Sequence, residues 1–163
     1  MAKRWNMASY ADMNALAKKL SYDSTDRIQE LIIQQMRYIG ERCIAIARDR
    51  SRANTWGDVT GNLRSSIGYI VQVNGKPIIQ SQIEQFQGAD GTQAKEGAKE
   101  AKKLLQQLSG TKQSGIVLFV VAGMNYAEYV ETIHRKDVLA TSHLEGDRLA
   151  ERLIGRLFSK TQK

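Results

Sequence analysis

The chain has 163 residues, 42% of them hydrophobic, and 24 Lys and Arg against 17 Asp and Glu, for a formal charge of +7. That is enough chain for one domain with a buried core and no need of covalent staples. A single cysteine excludes an internal disulfide, one Cys with two His argues against a structural zinc, and no run reaches the ~20 apolar residues of a membrane span.

Met1-Ala2-Lys3-Arg4-Trp5 has a basic start but no long apolar run behind it, so the chain is expected to be soluble and made in the cytoplasm. In residues 1–22, Trp5, Met7, Tyr10, Met13, Leu16 and Leu20 recur at helical spacing and predict an arm with a helix around Ala8–Leu20. This arm either lies on its own domain or reaches a neighbouring subunit. Asp23-Ser24-Thr25-Asp26 is a helix-start cluster. From there to about Arg50, Ile28, Leu31, Ile32, Met36, Ile39, Cys43, Ile46 and Ala47 form one core-facing stripe, with Arg48 on an outer face. Cys43 reads as a small buried hydrophobe rather than a reactive thiol. Ile33, Tyr38 and Ile44 fall off the stripe and become candidates for contact with a partner subunit.

Thr60-Gly61-Asn62-Leu63-Arg64-Ser65-Ser66-Ile67 predicts a short capped turn that opens into a strand over 67–73. Asn74-Gly75 is a two-residue hairpin signal, and 77–86 is the expected return strand, with Pro77 tolerated at its start. Residues 93–108 keep Ala94, Ala98, Ala101, Leu105 and Leu108 at helical spacing beneath a lysine-rich surface. So narrow an Ala stripe implies shallow burial or close approach to another helix. Ile116–Ala122 is apolar without a break and β-branched, the pattern of a strand covered on both faces. Gly123 and Asn125 then suggest positive backbone φ, and Tyr126, Ala127, Tyr129 and Val130 a short helical turn. Val138-Leu139-Ala140 reads as a short extended piece. Ser142-His143-Leu144-Glu145 has capping-box form and starts a last helix to about Phe158, before a frayed tail over 159–163.

The expected fold is α+β: a mostly antiparallel sheet of three or four strands on a long N-terminal helix and a C-terminal helix. The sheet would draw on 67–73, 77–86, 116–122 and 138–140. Residues 23–158 would be one domain, with a lysine-rich helical insertion at about 91–110. No nucleotide-binding glycine motif, acidic metal cluster or nucleophile elbow is present, so no catalytic, cofactor or metal residue is assigned. His134 beside Asp137 and His143 beside Glu145 do not make a hydrolase by proximity in sequence. Tyr126 and Tyr129 read as amphipathic anchors rather than base-stacking platforms.

Two segments together resemble a family. Thr60-Gly61-Asn62-Leu63-Arg64-Ser65-Ser66-Ile67 is similar to the T-G-x-L-R-x-S-I box of head–tail joining, or tail-completion, proteins of long-tailed bacteriophages. Gly123-Met124-Asn125-Tyr126-Ala127-Glu128-Tyr129-Val130-Glu131 is similar to the second box of that family, G-x-x-Y-A-x-x-V-E. With the long helix before the first box, the resemblance covers about residues 24–158. It departs where Thr132-Ile133-His134 replaces an aromatic or His followed by Gly-Thr, in the longer 93–108 connection, and in the arm 1–22. The resemblance implies a structural protein of the virion neck, made in the bacterial host cytoplasm, with no active site and no cofactor. It would assemble with itself in rings in the assembled particle, with a monomer the alternative for the free chain, and with connector and tail-tube proteins, with direct DNA contact compatible and no membrane. Its interface candidates are Ile33, Tyr38, Ile44, Leu63, Arg64, Tyr126, Tyr129 and Glu131, with Glu131 expected to pair with Arg37 or Arg64 of a neighbour. The alternative is a small basic nucleic-acid-binding protein, which accounts for the charge but not for the two boxes.

Overall fold

A computed structural model of the chain describes residues 2–6, 22–49 and 58–159. Chain order is β1 (Ala2–Asn6), α1 (Tyr22–Asp49), α2 (Asn62–Ser65), β2 (Ile67–Val73), β3 (Lys76–Gln80), α3 (Lys95–Leu108), β4 (Ile116–Ala122), α4 (Ala127–Thr132) and α5 (Ala140–Ser159). The fold is α+β. One four-stranded sheet runs β1-β4-β2-β3, antiparallel at every pairing. The helix expected around Ala8–Leu20 and the last four residues of the tail lie outside the described residues.

The sheet carries a core on each side, because side chains alternate along a strand. Ile67, Tyr69 and Val71 of β2 and Leu118, Val120 and Ala122 of β4 face α1 and α5, meeting Ile32, Met36, Ile39, Cys43, Leu139 and Ile154. Ile70 of β2 and Val117, Phe119 and Val121 of β4 face the other way, onto Leu105 of α3. Burying each such side chain stabilises by roughly 1.5–3 kcal/mol, so neither face of β4 can be left wet. The unbroken apolar run of β4 is thereby explained.

Three sequence expectations give way. The return strand stops at Gln80 rather than 86, because Ser81 turns inward: its backbone N–H donates to Tyr69 O and its hydroxyl accepts from Tyr69 N–H, both at 3.0 Å. Residues 138–140 are not a strand. Val138 and Leu139 are buried in the α1–α5 core as the chain turns into α5, and the backbone of Ala2–Asn6 supplies the fourth strand instead. The last helix begins at Ala140, and Asp137 does the capping by accepting from the Thr141 N–H at 2.9 Å and from its hydroxyl. Ser142 is spent elsewhere, donating to Leu139 O. The hairpin signal holds, with Asn74 at φ 51° and Gly75 at φ 79°.

Helix α1 lies close to the sheet at Gly40. A Cβ there would stand 2.6 Å from the Tyr69 ring, whose hydroxyl donates to Glu41 Oε1 at 2.8 Å. Alanine is worth about 1 kcal/mol more than glycine inside a helix, but overpacking a filled core costs about 1–3 kcal/mol. Gly40→Ala should therefore lower stability in urea, where helix propensity alone would give a gain.

Two buried groups set an alkaline limit. Burial, with the Asp147 charge adding to it, raises the Cys43 thiol from 9.0 to about 12. Burial and the bond to Glu41 raise the Tyr69 phenol as well. Both pKa values are higher folded than unfolded, so this stabilising contribution is complete below about pH 9 and is lost as pH climbs toward 12. Urea midpoints should fall over that window, and Cys43→Ala should flatten the slope. A slope unchanged by that substitution would contradict the assignment.

Candidate functional site

The two boxes meet in space. The backbone N–H of Gly123, which opens the second box, donates to Ser66 O of the first at 2.9 Å. Around that link nearly every residue of the first box has an intramolecular task. Gly61 adopts φ 71°, and a Cβ there would stand 2.4 Å from Phe86 O, so glycine is required twice over. Asn62 Oδ1 accepts from the Gly97 N–H at 3.1 Å and so caps the first turn of α3 from a different element. Ser65 Oγ accepts from the Phe86 N–H at 2.8 Å, and Ser66 Oγ donates to Leu63 O at 2.7 Å.

Phe86 lies against two guanidinium groups, Arg64 at 4.1 Å from its ring centroid and Arg48 at 5.2 Å. Arg64 also pairs with Asp58 at 3.7 Å. Arg48, expected on an outer face of α1, is buried: it donates to Ile67 O at 3.0 Å and pairs with Glu84 at 3.2 Å. Its aliphatic stem and planar head let it close the end of α1 over β2, a use the helical period alone does not disclose.

Helix α3 rests on backbone rather than on another long helix. A Cβ on Gly97 would stand 2.0 Å from Asn62 O, and one on Gly123 would stand 2.7 Å from the Glu100 carbonyl. Gly123 is thus needed for close approach. Neither it nor Asn125 is among the positive-φ positions, contrary to the sequence expectation. The Ala stripe did signal this approach; what it lacked was the partner.

The candidate interface residues divide. Ile44 and Leu63 are in the core. Arg64 is spent on Phe86 and Asp58. Glu131, expected to pair with a neighbouring copy, accepts from Leu139 N–H at 3.0 Å and so steadies the entry to α5. Ile33 is half-buried, whereas Tyr38, Tyr126 and Tyr129 are exposed at 49%, 37% and 54%.

Where the boxes meet, they leave a depression of about 170 Å³ lined by Asp58, Val59, Thr60, Gly61, Leu63, Tyr126 and Val130, among others. Val59 in its lining and Ile133 just past α4 are also strongly exposed. Burial, then the charges of Glu96 and Asp58, hold the Tyr126 phenol above the usual tyrosine value, so it stays a neutral donor. The histidines stand apart. His134 packs edge-on against Tyr129 at 4.9 Å, and His143 Nδ1 is 3.0 Å from Asp147. Among the described residues there is no group of three or more His, Cys, Asp or Glu that could hold a metal, and no helix long and apolar enough to cross a membrane. Where the two boxes meet, the exposed surface is apolar and edged by aromatic rings.

No family model, curated protein or solved structure matches the chain.

Loss of the cap in Asn62→Ala should cost about 1 kcal/mol of stability, within the range measured for side-chain caps. It should also speed amide exchange at Gly97. Unchanged exchange there would show that the cap is not needed.

Proposed function

We propose that this chain is a structural virion-assembly protein of a bacteriophage or prophage, joining head to tail or completing the tail in the neck. The observation that supports this reading best is the convergence of the two boxes. They lie far apart in sequence, carry the family resemblance together, and are tied to one another at Ser66 and Gly123. Their common product is a contact surface with exposed Tyr126 and Tyr129, which suits a protein whose work is done by surfaces. Its partners in this reading are further copies of itself, arranged in a ring-like assembly, and connector and tail-tube proteins on either side. Direct DNA contact is compatible with the +7 charge. A purely nucleic-acid-binding role gains less support, because the lysines of α3 alternate with Glu96 and Glu100, and Lys103 pairs with Glu100 at 3.5 Å.

Disruption of the coding sequence in a producing strain should leave filled heads and separate tails, counted by electron microscopy. Wild-type protein supplied in trans should restore joined particles. Tyr126→Ala with Tyr129→Ala should restore about tenfold fewer or worse, since aromatic hot spots contribute about 2 kcal/mol or more each. The same double variant should keep its far-ultraviolet circular dichroism. Normal joined particles from the disrupted strain would overturn the proposal.

A further inference from the structure

The lysines of α3 alternate with glutamates in sequence but part from them around the helix. At ~100° per residue, Lys95, Lys99, Lys102 and Gln106 fall in one row, while Glu96, Glu100 and Gln107 fall on a neighbouring flank. All four residues of the row are exposed. Lys103 stands between the two groups and pairs with Glu100 at 3.5 Å. Among the described residues, no carboxylate pairs with Lys95, Lys99 or Lys102.

The contacts of α3 fix which way each flank looks. The glutamate flank faces the second box: Glu96 acts on Tyr126, and the Glu100 carbonyl meets Gly123. The buried side of the helix runs from there to Leu105, which lies with Ile83 over Gly68 of β2. The lysine row comes next around the helix after Leu105, and so looks past Ile83 toward β3. Gln80 of β3 lies on that side of the sheet, because it is the cross-strand partner of Ile70, which faces α3. Glu84, in the segment after β3, is held by Arg48 at 3.2 Å. The flank is thus one of lysine and glutamine. Phosphate oxygens accept from both, from the ammonium as a cation and from the amide as a neutral donor. The row is roughly 16 Å long, and a duplex presents a charge about every 1.7 Å of its axis, so several phosphates come within its span. Lysines are point charges without a fixed fork, which suits contact that reads no sequence. The row has no aromatic ring on which an unpaired base could stack, which favours a duplex backbone over a single strand.

We infer that the Lys95–Lys99–Lys102–Gln106 row of α3 binds the phosphate backbone of duplex DNA without sequence preference. The inference deepens the assembly role proposed above, by giving DNA contact a place on the molecule. It rests on that role for why DNA is at hand, but the binding has its own solution test.

Fluorescence anisotropy of a labelled duplex should show binding by the purified chain at low salt. The logarithm of Kd should rise with the logarithm of salt concentration at a slope of about 3, near one for each lysine of the row. Lys95→Gln with Lys99→Gln and Lys102→Gln changes exposed residues to ones of nearly equal helix propensity, so the urea midpoint should hold. This triple variant should bind about tenfold more weakly or worse, with most of the salt slope gone. Arg148→Gln with Arg152→Gln and Arg156→Gln removes the same charge from exposed positions of α5 and should bind as the wild type does. An unlabelled duplex of shuffled sequence should compete as well as the original. A wild-type chain that does not bind, or equal losses in the two triple variants, would overturn the inference. A strong preference for one sequence would overturn the backbone contact. Displacement by poly-glutamate as readily as by duplex would overturn DNA as the occupant and point to an acidic protein surface. Binding that behaves as stated, in a strain whose particles join normally without the protein, would instead sink the functional proposal and leave the DNA contact standing.

Discussion

Strand β4 is apolar on both of its faces, and the rest of the structure answers that constraint. A strand wet on one side alternates polar with apolar residues; Ile116–Ala122 does not, and six of its seven residues are buried. One side of the sheet is closed by α1 and α5, through Ile39, Cys43 and Ile154 among others. The other is closed by Leu105 and the alanines of α3. What reads in sequence as a lysine-rich insertion is therefore a layer of the fold, with its lysines on the outer surface of that layer.

Closing that layer demands small residues and a tie at each end. Gly97 and Gly123 let α3 approach the backbone of Asn62 and of the turn after β4. Asn62 caps the helix from outside it, and Gln72, buried within β2, donates to Leu108 O at 2.6 Å at the far end. These two bonds fix the helix along its axis as well as against the sheet. The same turn that holds α3 also holds the second box, through Ser66 O and Gly123 N–H. The box residues are thus chiefly internal fasteners. Their side chains support this part of the surface from below, and Val59, Tyr126, Tyr129 and Ile133 beside them are exposed.

Much of this was legible in the sequence, for identifiable reasons. Most of the stripe on α1, the Asn74-Gly75 hairpin and the double-faced β4 depend on local period and turn chemistry, which the chain displays directly, although Leu31 of that stripe is exposed. Less legible were features set by a partner far away in sequence. Arg48 looks like a surface residue until Glu84, Phe86 and Ile67 O are seen around it. Ser142 carries a capping pattern, yet Asp137 takes the role because Leu139 must first be buried. Gly123 suggests a turn and turns out to serve contact with Glu100. Of the candidate interface, aromatic residues stayed at the surface, while Ile44 and Leu63 went to the core. Distance from one helical stripe does not mean exposure when a helix is covered by both a sheet and a second helix.

Native-state hydrogen exchange tests the central claim, that α3 is an integral layer closing the second face of the sheet, most directly. Helices that merely rest on a domain open in separate low-energy events, whereas integral elements exchange only with global unfolding. The account predicts that amides of Ala98–Leu105 and of Val117–Val121 exchange with the same free energy and the same denaturant dependence. If α3 opened at much lower free energy while β4 stayed protected, the lysine-rich helix would be an appendage, and the double-sided burial of β4 would need another explanation.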